Sequence, residues 1–173
     1  MFGWLSGRTP LTTRQLLENT EPKRIKRALT QIQLVSYKQE FIIRKLPLFK
    51  RIKAFFTNSN VNVVFVKFTV ETRNKVNGNQ HFVILEIPYL KELSSKTLSD
   101  IPIKVYSDTM DLKYRFVYEL NKTNNLYYDS SLKNVLGIAL TEKPTKVTPK
   151  GVAMFDKHIY AVISNINKLK IKY

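Results

Sequence analysis

Cysteine is absent from the 173 residues, which excludes a disulfide framework, a thiolate zinc or iron–sulfur centre and a cysteine nucleophile. Histidine is nearly absent: His81 and His158 are the only two, too few for an imidazole-built metal site. The five glycines, Gly3, Gly7, Gly78, Gly137 and Gly151, make neither a Walker loop nor a dinucleotide fingerprint, so nucleotide-binding folds built on those loops recede. Long apolar runs are missing too. The longest stretch without a charged side chain, Ala54 to Val66, is 13 residues, short of the ~20 that a helix needs to cross hydrocarbon. A soluble chain with no membrane partner is expected. The first residues, MFGWLSGRTP, lack the continuous apolar stretch of a secretory signal, and an uncleaved N-terminus is expected.

Acidic residues are scarce against basic ones, 13 to 29, giving a net charge of +16. Such an excess favours a polyanionic partner or a charged assembly and says nothing about fold. It is unevenly placed: residues 1–53 carry a net +9, residues 54–142 a net +1 and residues 143–173 a net +6. A nearly neutral middle between basic ends reads as a folded body with two basic surfaces. The abundance of Lys, Asn, Ile and Tyr beside few Gly and Ala matches adenine- and thymine-rich codons. The length and the 43% apolar content suit one globular body with an appended segment, able to bury a core without metal or disulfide.

What is present organises as α+β. In the N-terminal zone Thr20-Glu21-Pro22 supplies a cap, an acid and a first-turn proline, and Ile25, Ala28, Leu29, Ile32 and then Leu34 or Val35 recur at helical spacing. Phe41 to Ile43 and Leu46 to Phe56 interleave apolar residues with cations in an amphipathic manner. A basic helical region over 1–58 is expected, followed by an α+β body over 59–173. Val61 to Val70 and His81 to Ile87 are strand-like, and Asn77-Gly78 between them is a strong turn signal, since both positions tolerate positive φ. Residues 61–88 should form one antiparallel hairpin, with Ile101 to Tyr106 as a third strand and Pro102 near its start or on an edge. Phe155, Ile159, Val162, Ile166 and Leu169 fall on one stripe, predicting a C-terminal amphipathic helix packed across an antiparallel sheet of at least three strands.

The cations crowding the presumed first helical turn, Lys23, Arg24, Lys26 and Arg27, oppose the helix dipole and invite an external anion. With Arg44, Lys45, Lys50, Arg51 and Lys53 they are the candidate contacts to nucleic acid or to a protein partner. Asp108, Asp111 and Glu119 are interleaved with Lys113 and Arg115 and read as ion pairs, not as a metal site. Neither histidine stands in a recognisable triad setting, and no catalytic residue, cofactor, metal or small-molecule substrate is expected.

The run Val105-Tyr106-Ser107-Asp108-Thr109-Met110-Asp111-Leu112-Lys113-Tyr114-Arg115-Phe116, followed by Gly151 to Tyr160 with Asp156-Lys157-His158 inside it, resembles the layout of SWIM-type zinc fingers in tailed-phage virion proteins. Those carry a strand ending in C-x-C-P-D-F-x-Y-R-F and then C-K-H at the start of a helix. Ser107 and Thr109 stand at the first two cysteine positions and Asp156 at the third, and His158 alone of the four ligands is kept. The resemblance implies that zinc binding is lost, because hydroxyls are poor zinc ligands and one histidine with one carboxylate cannot close a tetrahedral site. It also implies a hairpin-plus-helix module that packs against protein or nucleic acid inside a virion.

These readings lead to a non-enzymatic structural subunit of a tailed-phage particle, in the capsid, neck or portal region. Its partners would be other virion proteins in a symmetric assembly, with packaged DNA as a further contact, and it would reside in the virion after assembly in the host cytoplasm. The rival is a basic nucleic-acid-binding protein such as an organellar ribosomal protein, for which the same charge would serve RNA phosphate.

Overall fold

The structure, a computed structural model, describes residues 10–45, 62–90, 94–143 and 151–171. Two short helices open it, α1 (Thr13–Asn19) and α2 (Pro22–Gln31). Thr12 caps α1 reciprocally with Gln15, each side chain taking the other's backbone N–H. Glu21 is the N-cap of α2, without a side-chain bond, and Pro22 occupies its first turn. Thr20 turns back instead, its hydroxyl donating to Leu16 O while accepting from Phe155 N.

The helical reading of the N-terminal zone fails after Gln31. Ile32 caps α2 and opens β1 (Ile32–Lys45), which pairs antiparallel with β2 (Asn62–Asn74) from Ile32↔Asn74 to Lys45↔Asn62. Ile25, Ala28, Leu29, Ile32 and Val35 match a helical period, yet only Ala28 and Ile32 are buried, while Leu29 and Val35 are more than half exposed. A tertiary partner overrides the local period, because the exposed and half-buried β-branched and aromatic residues from Ile32 onward gain a hydrogen-bond ladder beside β2, interrupted only between Leu34 and Ser36. The tract Leu46 to Phe56, read as amphipathic, lies outside the described residues.

The expected hairpin forms, with Gly78 and not Asn77 taking the positive φ in a turn that joins Asn74 to Gln80. β3 (Gln80–Pro88) pairs with β2 from Phe65↔Pro88 to Arg73↔Gln80, and Gly78 in the turn has φ 74°, a conformation nearly free of cost for glycine alone. After α3 (Ser95–Ser99), β4 (Lys104–Ser107) pairs with β3 and completes an antiparallel sheet in the order β1-β2-β3-β4. Pro102 sits outside β4 and forms an isolated bridge with Thr12. Period-two alternation puts Val66, Phe68 and Val70 of β2 on one face with their partners Ile87, Leu85 and Val83 and with Val105 of β4. All seven are fully buried.

That face is covered by α6 (Lys157–Ser164), shorter than the predicted stripe: Ile159 and Val162 lie on it, Phe155 precedes its N-cap and Ile166 and Leu169 follow in and just after a 3-10 turn, and all five are buried in the same cluster. A π-helical turn, Leu112–Phe116, leads into α4 (Val117–Lys122) and adds Leu112, Phe116 and Leu120 to the core. Short turns then include α5 (Lys133–Leu136). Asn125, fully buried, ties three segments together: its Oδ1 accepts from Leu11 N, and its Nδ2 donates to the carbonyls of Leu11 and Ile103. The whole is the expected α+β arrangement, N-terminal helices and a C-terminal helix with an antiparallel sheet. No described helix is long and apolar enough to cross a membrane.

Candidate functional site

The residues singled out for partner binding divide into two kinds. On α2, Lys23, Lys26 and Arg27 are exposed, and the spacing of three and four residues sets them on one side of the helix. Arg24 turns inward, with only 11% of its side chain exposed. Its Nε donates to Glu21 Oε2 at 2.9 Å, its Nη1 to Asp111 Oδ2, and its guanidinium carbon lies 4.7 Å from the ring centre of Phe116. Two carboxylates and an aromatic face hold that side chain inward, so it joins α2 to the π-helical turn and is less open to an outside anion than its exposed neighbours. Asp111 holds Arg115 as well, Nε at 3.2 Å from Oδ1.

Arg44 is likewise engaged. It pairs with Glu86, whose side chain is 1% exposed, on the sheet face opposite Phe68 and Leu85. Lys104 of the neighbouring strand joins this group, its ammonium held below the usual lysine range by burial, with Arg44 adding to the shift and Glu86 opposing it. Lys45 ends β1. Lys50, Arg51 and Lys53 lie outside the described residues.

Three of the four positions of the finger-like layout, Ser107, Thr109 and Asp156, are hydrogen-bonded to one another although 107 and 156 are far apart in sequence, while His158 bonds elsewhere. Asp156, fully buried, is the N-cap of α6: its Oδ1 accepts from Ile159 N at 2.7 Å, while its Oδ2 accepts from Thr109 Oγ1 at 2.6 Å and from Ser107 Oγ. Thr109 Oγ1 in turn accepts from Leu112 N at 3.1 Å and lies 2.9 Å from Ser107 Oγ. One carboxylate therefore staples the end of β4, the start of the π-helical turn and the start of α6. The chemistry available is structural, since the carboxylate and both hydroxyls are spent on each other.

His158 points from the same helical turn toward the sheet, 1% exposed, with Nδ1 2.8 Å from Thr72 Oγ1. Thr72 Oγ1 also lies 3.1 Å from His81 O, which can only accept, so both contacts are hydrogen bonds when Nδ1–H of His158 donates. Burial pushes the His158 imidazole down to about 4, against the pull of Asp156 and helped by His81 and Lys157. The two imidazoles meet edge to face, centroids 4.7 Å apart. His81 Nδ1 is 3.1 Å from Asp108 Oδ1 beside a shallow hollow of about 200 Å³ lined by Glu71, Thr72, His81 and Asp108. Among the described residues no cluster of three or more histidine or carboxylate side chains is arranged to hold a metal.

Sequence reasoning placed Asp108, Asp111 and Glu119 in ion pairs: Asp111 pairs with Arg24 and Arg115 and Glu119 with Lys122, while Asp108 makes a hydrogen bond with His81 Nδ1. It missed that Asp111 is the inner anchor of Arg24, and it missed Thr72 and Asn125 altogether. An arginine three residues after Glu21 was the available signal for the first, the other two being polar residues in ordinary strand and turn contexts. Comparison with family models, with curated proteins and with solved structures found no match to this chain.

Proposed function

We propose that this chain is a non-enzymatic structural subunit of a tailed-phage particle, built into the capsid, neck or portal region through its basic surfaces. One observation carries the reading. Ser107, Thr109 and Asp156, the positions singled out by the likeness to SWIM-type fingers of virion proteins, form one hydrogen-bonded cluster, with His158 two residues further on the same helix. A chance likeness of two separated segments gives no reason for its ligand positions to converge. In this reading hydrogen bonds among hydroxyls and a carboxylate have taken over the joint that zinc makes elsewhere, and the module is kept for packing against neighbours. The exposed Lys23, Lys26 and Arg27 face other virion proteins or packaged DNA.

The experiment is to purify particles and ribosomes from the culture whose genome carries the sequence and to quantify the chain by mass spectrometry in each. The expected outcome is a fixed stoichiometry with capsid and portal proteins in particles. Recovery with ribosomes, or as free complexes with RNA whose affinity falls steeply with salt, overturns it in favour of a dedicated nucleic-acid binder.

A further inference from the structure

β1 lies at the end of the sheet, and β2 is its only strand neighbour among the described residues. An edge strand of this length presents a row of backbone donors and acceptors to any extended chain that can match it. Its side chains are mostly exposed or half-buried from Gln33 to Arg44, with Phe41 46% and Ile43 68% exposed. Charge is the usual defence of an edge against indiscriminate pairing, and here the charges have a pattern: Lys38 and Glu40 flank Gln39.

We propose that β1 is a homodimerisation edge, pairing antiparallel with β1 of a second copy about a two-fold axis through Gln39. Directly opposed residues of an antiparallel pair share a face, so a two-fold axis perpendicular to the sheet must pass through a residue and not between two. Centred on Gln39, the register sets Lys38 opposite Glu40 of the second copy, twice by symmetry, and Tyr37 opposite Phe41 of the second copy, also twice. Centring on Lys38 stacks two ammonium groups, centring on Glu40 stacks two carboxylates, and centring on Phe41 sets Lys38 against Arg44. Gln39 is the one centre among these that turns every opposed charge into an attraction.

The fold fixes the limits of the ladder. Pairing of β1 with β2 shifts between Leu34 and Ser36, a bulge that bends the edge away at one end. By symmetry the ladder then runs from Ser36 to Ile42. Within it the aromatic side chains are already seated on their own chain, Tyr37 against Phe68 and Phe41 against Tyr89, so little ordering remains for association to impose. A net charge of +16 on each copy opposes association at long range. At about 0.15 M salt, with a Debye length of about 8 Å, that repulsion is screened while pairs in contact keep their attraction.

The test is sedimentation equilibrium of the full chain at that salt. The native chain is expected to dimerise, Lys38→Glu and Glu40→Lys each to weaken the dimer by about tenfold or more, and the double variant K38E/E40K to restore it, because the swap returns opposite charges to the same places. Circular dichroism checks that each variant is folded, a necessary control since Glu40 also holds Lys67 at 2.8 Å. The absence of cysteine supplies a second arm: Gln39→Cys is expected to cross-link to its own copy under mild oxidation, while Val76→Cys, exposed in the turn between β2 and β3, is not. A native chain that stays monomeric up to about 0.5 mM overturns the proposal, as do a folded double variant without recovery and equal cross-linking at both cysteines. If a charge variant unfolds, the cross-linking arm decides alone. The particle role does not depend on this dimer, and failure of one leaves the other standing.

Discussion

Asp156 and His158 stand two residues apart at the start of α6, both buried, and their partners are of opposite kinds. Asp156 accepts from two hydroxyls and a backbone N–H, so its three hydrogen bonds offset the desolvation of the carboxyl. His158 has one hydroxyl to donate to and an aromatic edge beside it, and that setting favours the neutral ring. With the folded imidazole at about 4 against an ordinary 6.5, the unfolded chain binds the proton more readily than the folded one. Stability from this group is therefore complete above the ordinary histidine value and is lost as pH falls from about 6.5 through about 4. His158→Gln keeps a side-chain donor for Thr72 and removes the titration. Denaturant midpoints measured across that window should fall more steeply with decreasing pH for the native chain than for H158Q. Parallel curves would mean that His158 titrates alike in both states.

At the scale of elements, α6 and the β2–β3 hairpin were legible because each is specified by two signals that agree. Phe155, Ile159, Val162 and Ile166 recur at a helical period, and Asp156, one residue after Phe155, is a good N-cap; the hairpin has strand-like segments and an Asn-Gly turn. Ile159 is fully buried in the main core, so Ile159→Ala should cost roughly 2–5 kcal/mol through lost burial and a residual cavity. Lys157 is only partly buried in the same first turn, and Lys157→Ala should stay within about 0.5 kcal/mol. Urea midpoints at unchanged slope would check the contrast, and equal losses would contradict the packing of α6 on the sheet. β1 was illegible because its signals conflict. The period from Ile25 to Val35 continues a helical register, and what ends α2 at Gln31 is a partner strand distant in sequence, which no local window contains. The candidate site divided in the same way. Ser107, Thr109 and Asp156 were singled out in the sequence and share hydrogen bonds in the structure, whereas Thr72 joins His158 only through the strand register. Arg24 was grouped with its neighbours because spacing alone cannot tell a cation facing solvent from one folded under its own helix.

For the whole molecule the question is which part of the +16 is available to a partner. Internal pairing removes Arg24 and Arg44 from that pool, Arg24 through Glu21 and Asp111 and Arg44 through the buried Glu86. Lys23, Lys26 and Arg27 remain exposed on α2. Their clustering near a helix N-terminus costs the free protein some repulsion that an anion relieves. Replacing these three together by Ser should leave the thermal midpoint within a few degrees of native, because exposed cations contribute little to stability, while weakening binding to a duplex DNA probe. If all three touch phosphate, the slope of log affinity against log salt should fall in magnitude by up to about 0.9 for each contact removed. Arg24→Ser should do the reverse. It strands Asp111 without its main cation and uncovers the face of Phe116, so the expected loss is about 1–3 kcal/mol of stability, with the salt slope unchanged. A triple variant that binds DNA with the native slope would assign these residues to a solvated face and leave Lys45, Lys50, Arg51, Lys53 and the C-terminal zone, net +6 over residues 143–173, as the remaining basic candidates. An Arg24 variant that loses DNA binding while keeping its midpoint would show that the pairing with Asp111 opens when a polyanion arrives.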